Sequence, residues 1–156
     1  MKVESLARAL REHAVMQELA DEHIDFVSGC TKNVRFKEGE FIFREGDQAD
    51  RVLLIRSGKV ALELDGAQRG VIVLETVQPG SVLGWSSIFP PHRWEMDARA
   101  VRDTLLFSID GKCLREKLEK DHSFGYAFTR MMLRVVHRRL ERMRLQQLDL
   151  YRSDDD

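Results

Sequence analysis

The sequence predicts a mainly β domain with flanking helices, and three observations carry that prediction. Residues 34 to 110 break into short β-rich runs punctuated by glycines at 39, 46, 58, 66, 70 and 80, close to the roughly 8- to 12-residue turn spacing of a sandwich or barrel. Upstream of that stretch, apolar residues recur at helical intervals. Beyond residue 110 they do so again, over a longer span. The chain of 156 residues therefore reads as one domain (1–156) with N-terminal helices (1–33), a β-barrel (34–110) and C-terminal helices (111–150).

Within residues 3 to 30, Leu6, Leu10, Val15, Leu19, Ile24 and Phe26 alternate with Arg, Glu and Asp, which predicts one or two helices. From Val34 the rhythm becomes that of strands. Between "VALEL" and "VIVLE", the stretch "LDGAQRG" predicts a hairpin loop. After Pro90 and Pro91, "ARAVRDTLLFSID" supplies the last strands, and helices follow from about Gly111 to Leu150. The closing "SDDD" reads as a solvated tail.

Composition narrows the function. With 25 Lys and Arg against 26 Asp and Glu, the net charge of −1 gives no global electrostatic case for a nucleic-acid or membrane-surface binder. No apolar run approaches the roughly 18 residues of a membrane span. The charged start "MKVESLARALREH" is not a secretory signal. Cys30 and Cys113 lie far apart without C-x-x-C spacing, which predicts two free core thiols and a reducing, cytoplasmic location.

From Phe36 to Val60 a series of residues falls at distinctive offsets: Phe36, Gly39-Glu40, Ile42-Phe43, Glu45-Gly46-Asp47, Ala49-Asp50, Ile55, Gly58 and Val60. Gly39 and Gly46 suit turns that need positive φ, and Asp47 and Asp50 suit the flanking turn chemistry. The series resembles the cyclic-nucleotide-binding domain, the β-roll (a double-stranded β-helix or jelly roll) of catabolite-activator-type regulators, nucleotide-gated channels and the regulatory subunit of protein kinase A. The resemblance covers roughly residues 10 to 150 and continues through "VQPGSVLG" into the family's phosphate-binding cassette, here residues 80–97.

That resemblance implies a Glu just after the second cassette Gly, to hold a sugar hydroxyl, and an Arg about ten residues later for the cyclic phosphate. A buried phosphate needs backbone amides and a bidentate cation. Gly84 matches the Gly, but Trp85 stands at the Glu position, and Trp94 or Glu95 at the Arg position with Met96 beyond. Pro90 and Pro91 end any cassette helix by Phe89. Only Arg93, with the loop slid by a residue or two, restores the cation, and Arg99 on the following strand is the second candidate. The expected ligand-binding set is Gly84, Trp85, Ser86, Ser87, Arg93, Trp94, Arg99, Met143 and Arg144. Ser86 and Ser87 read either as donors to an oxyanion or as turn caps. His92 is a weaker candidate for heme ligation, as in gas-sensing relatives.

In "TRMMLRVVHRRLERMRLQQLDLY", Leu133, Val136, Leu140, Met143, Gln147 and Leu150 recur at alternating spacings of three and four, the pattern of a dimer seam. Phe128, Met131, Met132 and Val135 form a neighbouring face suited to the barrel. The resemblance implies that this helix is the dimer axis and that Met143 and Arg144 cover the pocket mouth. DNA-binding members append a helix-turn-helix after it, and the sequence given stops at Asp156, so no direct DNA binding is expected. Neither a metal-binding His cluster, a phosphate loop, a Cys–His pair nor an iron–sulfur set of cysteines is present, so an enzyme is not predicted and no metal site or certain cofactor is assigned. The expected protein is a cytoplasmic, homodimeric sensor module of this type with an atypical pocket for a cyclic nucleotide or other small anion, signalling through its C-terminal helix to a partner protein. The alternatives are a genuine cAMP or cGMP binder anchored by Arg93, and a ligand-free interaction subunit whose pocket is filled by Trp85, Trp94 and Met96.

Overall fold

The computed structural model describes residues 2–154. Two helices, α1 (Lys2–Glu12) and α2 (Asp21–Gly29), flank a 3₁₀ turn over Ala14–Glu18. Eight strands follow: β1 (Thr31–Phe36), β2 (Phe41–Phe43), β3 (Arg51–Ser57), β4 (Val60–Asp65), β5 (Val71–Val77), β6 (Val82–Leu83), β7 (Asp97–Ala100) and β8 (Thr104–Asp110). Helices α3 (Gly111–Lys120) and α4 (His122–Asp154) close the chain. Of the acidic tail, Asp155 and Asp156 lie outside the described residues.

The strands form two four-stranded antiparallel sheets, ordered β1-β8-β3-β6 and β2-β7-β4-β5. Side chains alternate across a strand, so one buried strand feeds two cores. In β3, Val52 and Leu54 face the helices, joined there by Phe107 and Ile109 of β8. Leu53 and Ile55 face the other sheet, with Leu106, Leu62, Leu83 and Ala98. This two-sided burial explains why "RVLLI" reads as a continuous apolar run rather than as an alternating one. The predicted hairpin forms between β4 and β5, with Gly66 and Gly70 closing its loop.

On the helical side, α4 buries Phe124, Phe128, Met131, Met132 and Val135 against Leu10, Met16, Ile24 and Val27. The face expected to pack on the barrel is thus the buried one, but it shares its core with the N-terminal helices as well as with Val52, Leu54, Phe107 and Ile109 of the sheet. Leu133 already faces away from this core, and beyond Val135 the helix leaves it, so that Val136, Leu140, Met143, Gln147 and Leu150 are exposed as well.

The cysteines correct the sequence expectation. Instead of lying as two free core thiols, Cys30 at the end of α2 and Cys113 in the first turn of α3 form a disulfide, with Cα atoms 6.2 Å apart. Their sequence separation of 83 hides this proximity, because β1 runs antiparallel to β8 and brings the start of one beside the end of the other.

Candidate functional site

A cavity of about 790 Å³ opens between the β2-β7-β4-β5 sheet, the segment after β6, and the second half of α4. Its floor is apolar: Phe43, Leu62, Leu83, Trp94 and Met96. Trp94 lies flat on Phe43, with ring centroids 4.0 Å apart and planes at 12°. Trp85, half-buried, forms part of the wall. Glu75 and Thr76 contribute from β5, and Arg139, Arg142, Met143 and Gln147 contribute from α4.

Gly84 enters the site in the left-handed region (φ +92°), which starts a single 3₁₀ turn over Trp85–Ser87. A Cβ there would sit 2.7 Å from the Arg51 carbonyl oxygen and 3.2 Å from the Trp94 ring, so the close approach of two backbones requires glycine. The Ser87 hydroxyl donates to the Gly84 carbonyl at 2.8 Å, which is the turn-capping role. The Ser87 carbonyl in turn accepts from Arg115 of α3 at 2.6 Å and lies 3.0 Å from His92 Nδ1. His92 is thereby tied to the loop itself.

The segment after the prolines is zipped to the turn after β2. Trp94 N–H donates to Asp47 O, Gly46 N–H donates to Trp94 O, and Ala49 N–H donates to His92 O. Gln48 and Arg93 form an isolated antiparallel bridge. Extended backbone sends consecutive side chains to opposite faces, so with Trp94 inside, Arg93 must point out. Its Nη1 donates to the Gly46 carbonyl at 3.2 Å on the exposed surface.

Of the nine residues predicted to bind ligand, the structure brings Gly84, Trp85, Ser86, Trp94 and Met143 to the cavity wall. Ser87 is buried beneath it. Arg93, Arg99 and Arg144 are not among the lining residues. Arg99 lies opposite Ala61 on β4 and donates from Nε and Nη2 to Glu63 at 2.9 and 2.6 Å. Ala98 and Ala100, its neighbours in β7, take the inward positions. On α4, Arg139 and Arg142 line the cavity in place of Arg144.

Sequence reasoning missed Glu75 and Arg139. Arg139 Nε and Nη2 donate to the two carboxylate oxygens of Glu75 at 3.2 and 3.0 Å, and Nη1 donates to the Val82 carbonyl at 3.1 Å. Its guanidinium carbon lies 5.2 Å from the Trp85 ring centroid, within cation–π range. The only signal in the sequence was Arg139 itself, one of six arginines (130, 134, 138, 139, 142 and 144) between Thr129 and Tyr151. Nothing local marks it out from the other five.

A family model, the cyclic nucleotide-binding domain, matches residues 33–121. Across 151 residues the chain is 28% identical to a CRP-like cAMP-activated global transcriptional regulator of Mycobacterium tuberculosis; the match takes in 97% of this chain and 64% of that protein's length. A solved structure from Geobacter metallireducens, of a protein classed with the cyclic nucleotide-binding proteins, superposes with a TM-score of 0.77 at 27% identity, covering 86% of this chain and 97% of that one. A cyclic nucleotide-binding domain from Methylobacillus flagellatus shares the fold with a TM-score of 0.76 at 17% identity, over 95% and 83% of the two chains.

Proposed function

This chain belongs to the cyclic nucleotide-binding domain family, and from that premise we propose that it senses a small anionic, nucleotide-like ligand in the cavity under α4 and passes the signal on through that helix. The observation that carries the proposal is the composition of the cavity: two indoles flank it, and arginines from α4 stand at its mouth. Indoles suit a planar ring and guanidinium groups suit an anion. On this reading the cassette is rebuilt rather than standard, since Trp85 occupies the place where the family resemblance implies the sugar-binding Glu, and Trp94 or Glu95 that of the phosphate-binding Arg.

The signal leaves through the exposed face of α4. Leu133, Val136, Leu140, Met143 and Leu150 expose apolar surface along one seam, which supports a homodimer formed by two such helices. The helix that covers the ligand is then the helix that contacts the second copy, and a partner protein reads the resulting geometry.

A thermal-shift panel with cAMP, cGMP, cyclic dinucleotides, ATP and heme, run on wild type and Arg93→Ala, tests this reading. A shift with a nucleotide that persists in Arg93→Ala supports it. A shift lost in Arg93→Ala selects a phosphate anchored by Arg93 instead. No shift with any probe overturns the ligand reading in favour of an interaction subunit. Light scattering on wild type and Leu140→Glu tests the seam: a dimer that becomes monomeric is expected, and a wild-type monomer at micromolar concentration refutes it.

A further inference from the structure

We propose that Arg139 is the anion-binding group of the cavity, and that Glu75 is an internal stand-in which the ligand's anionic group replaces. The proposal rests on the reading of the cavity as a ligand site and assigns its chemistry. The expected ligand is an aromatic ring bearing a phosphate, with the ring against Trp85 and the phosphate on Arg139.

Four observations converge on this pair. The cation expected from the segment after β6 is not delivered there, because Arg93 bonds outward to Gly46 and Arg99 is held by Glu63. Among the arginines that line the cavity, Arg142 is exposed whereas Arg139 has only 15% of its side chain accessible. A guanidinium so far out of water needs an anionic partner, and removing the partner without replacement is costly. Glu75 supplies that partner in a two-oxygen, two-nitrogen arrangement, the geometry a phosphate also satisfies. An incoming phosphate can therefore take over the guanidinium without leaving it unpaired at any stage.

Geometry also couples this exchange to the rest of the molecule. Arg139 joins four elements at one point: α4 through its own backbone, β5 through Glu75, β6 through the Val82 carbonyl, and the 3₁₀ turn through Trp85. Releasing Glu75 frees α4 from β5 while the Val82 bond and the indole still hold it. The ligand thus changes which strand the helix is tied to.

Calorimetry and tryptophan fluorescence with cAMP, cGMP, AMP and pyrophosphate, on wild type, Glu75→Gln and Arg139→Gln, decide the matter. For a nucleotide that binds wild type, Glu75→Gln removes the competitor and tightens binding about tenfold, while Arg139→Gln weakens it about thirtyfold or more. Pyrophosphate follows the same order with weaker binding, since it lacks the ring. If Arg139→Gln does not fold, Glu75→Gln alone still discriminates: tightening supports the exchange, and unchanged or weakened binding overturns it. Nucleotide binding that neither substitution alters by more than about twofold overturns the role of Arg139 and leaves the ligand site standing. Failure of every probe on both wild type and Glu75→Gln overturns the ligand site itself, and this assignment with it.

Discussion

Trp94 and Phe43 lie face to face across the interior, 4.0 Å apart, and together they make the floor on which any occupant of the cavity must rest. Trp94 is only 4% exposed, so Trp94→Ala removes a buried indole and leaves a void beside the sheet. The expected loss is about 3–5 kcal/mol in chemical denaturation. Trp94→Phe keeps an aromatic face for Phe43 and is expected to cost clearly less.

Gly84 and Gly80 share a positive φ, +92° and +91°, but differ in their surroundings. A Cβ at Gly80 meets only the Ala14 methyl at 3.6 Å, an ordinary contact, whereas at Gly84 it meets the Arg51 carbonyl oxygen at 2.7 Å. Gly80→Ala therefore carries only the backbone penalty, about 1 kcal/mol. Gly84→Ala is expected to cost at least about 2 kcal/mol more, because backbone must move. Denaturation midpoints of the two variants side by side provide the check.

Glu63 is buried on the outer side of β4, and its counterion Arg99 is about one-third open to water. Arg99→Ala leaves the carboxylate without a partner and is expected to destabilise by about 1–3 kcal/mol. Replacing both residues by leucine is expected to recover most of that loss, since no uncompensated charge remains. Ligand binding is expected to be unchanged in Arg99→Ala, which separates this pair from the Glu75–Arg139 pair.

His13 anchors the N-terminal helices to β3. Its Nε2–H donates to the Ile55 carbonyl at 2.9 Å, and its Nδ1 accepts from Val15 N–H at 3.3 Å. Both bonds are satisfied only by the neutral ring; a proton on Nδ1 would face another N–H. Burial, with a smaller contribution from nearby Arg56, lowers its pKa below the usual 6.5, although the bond to Ile55 opposes the shift. The unfolded chain therefore binds the proton more readily than the folded one. Stability is full above pH 6.5 and falls as the pH drops below it, levelling off beneath the folded-state value. Denaturation of wild type between pH 7.5 and 5 (roughly one unit above and more than one below the unfolded pKa) is expected to show this slope, and His13→Gln to flatten it.

Much of the fold was legible because its signals are local. Gly39 and Gly46 were placed in turns needing positive φ, and they adopt +89° and +87°. The spacing of Phe128, Met131, Met132 and Val135 was enough to choose the buried face of α4. The site was less legible. Gly84, Trp85 and Trp94, near one another in sequence, were expected at the pocket and do line the cavity, whereas Phe43 and Leu62 of its floor come from distant strands and carried no such signal. Whether Arg93 or Trp94 faces inward depends on the register of a bridge to Gln48, which no local pattern reveals. Glu75 and Arg139 are 64 residues apart, and their meeting depends on how α4 crosses β5. Cys30 and Cys113 were misread for the same reason: adjacency through β1 and β8 leaves no mark on their spacing.

Helix α4 is clamped by the core as far as Val135 and then runs on as one continuous rod to Asp154. From Arg139 to Tyr151 that rod measures about 18 Å at 1.5 Å per residue. A tilt of roughly 10° about Arg139 would carry the Tyr151 end by about 3 Å, enough to bring one side-chain row out of register with whatever it meets. Under the proposed signalling route, a rearrangement of ångström scale beside the Trp85 indole would in this way be magnified into a displacement that a protein surface could read at the far tip.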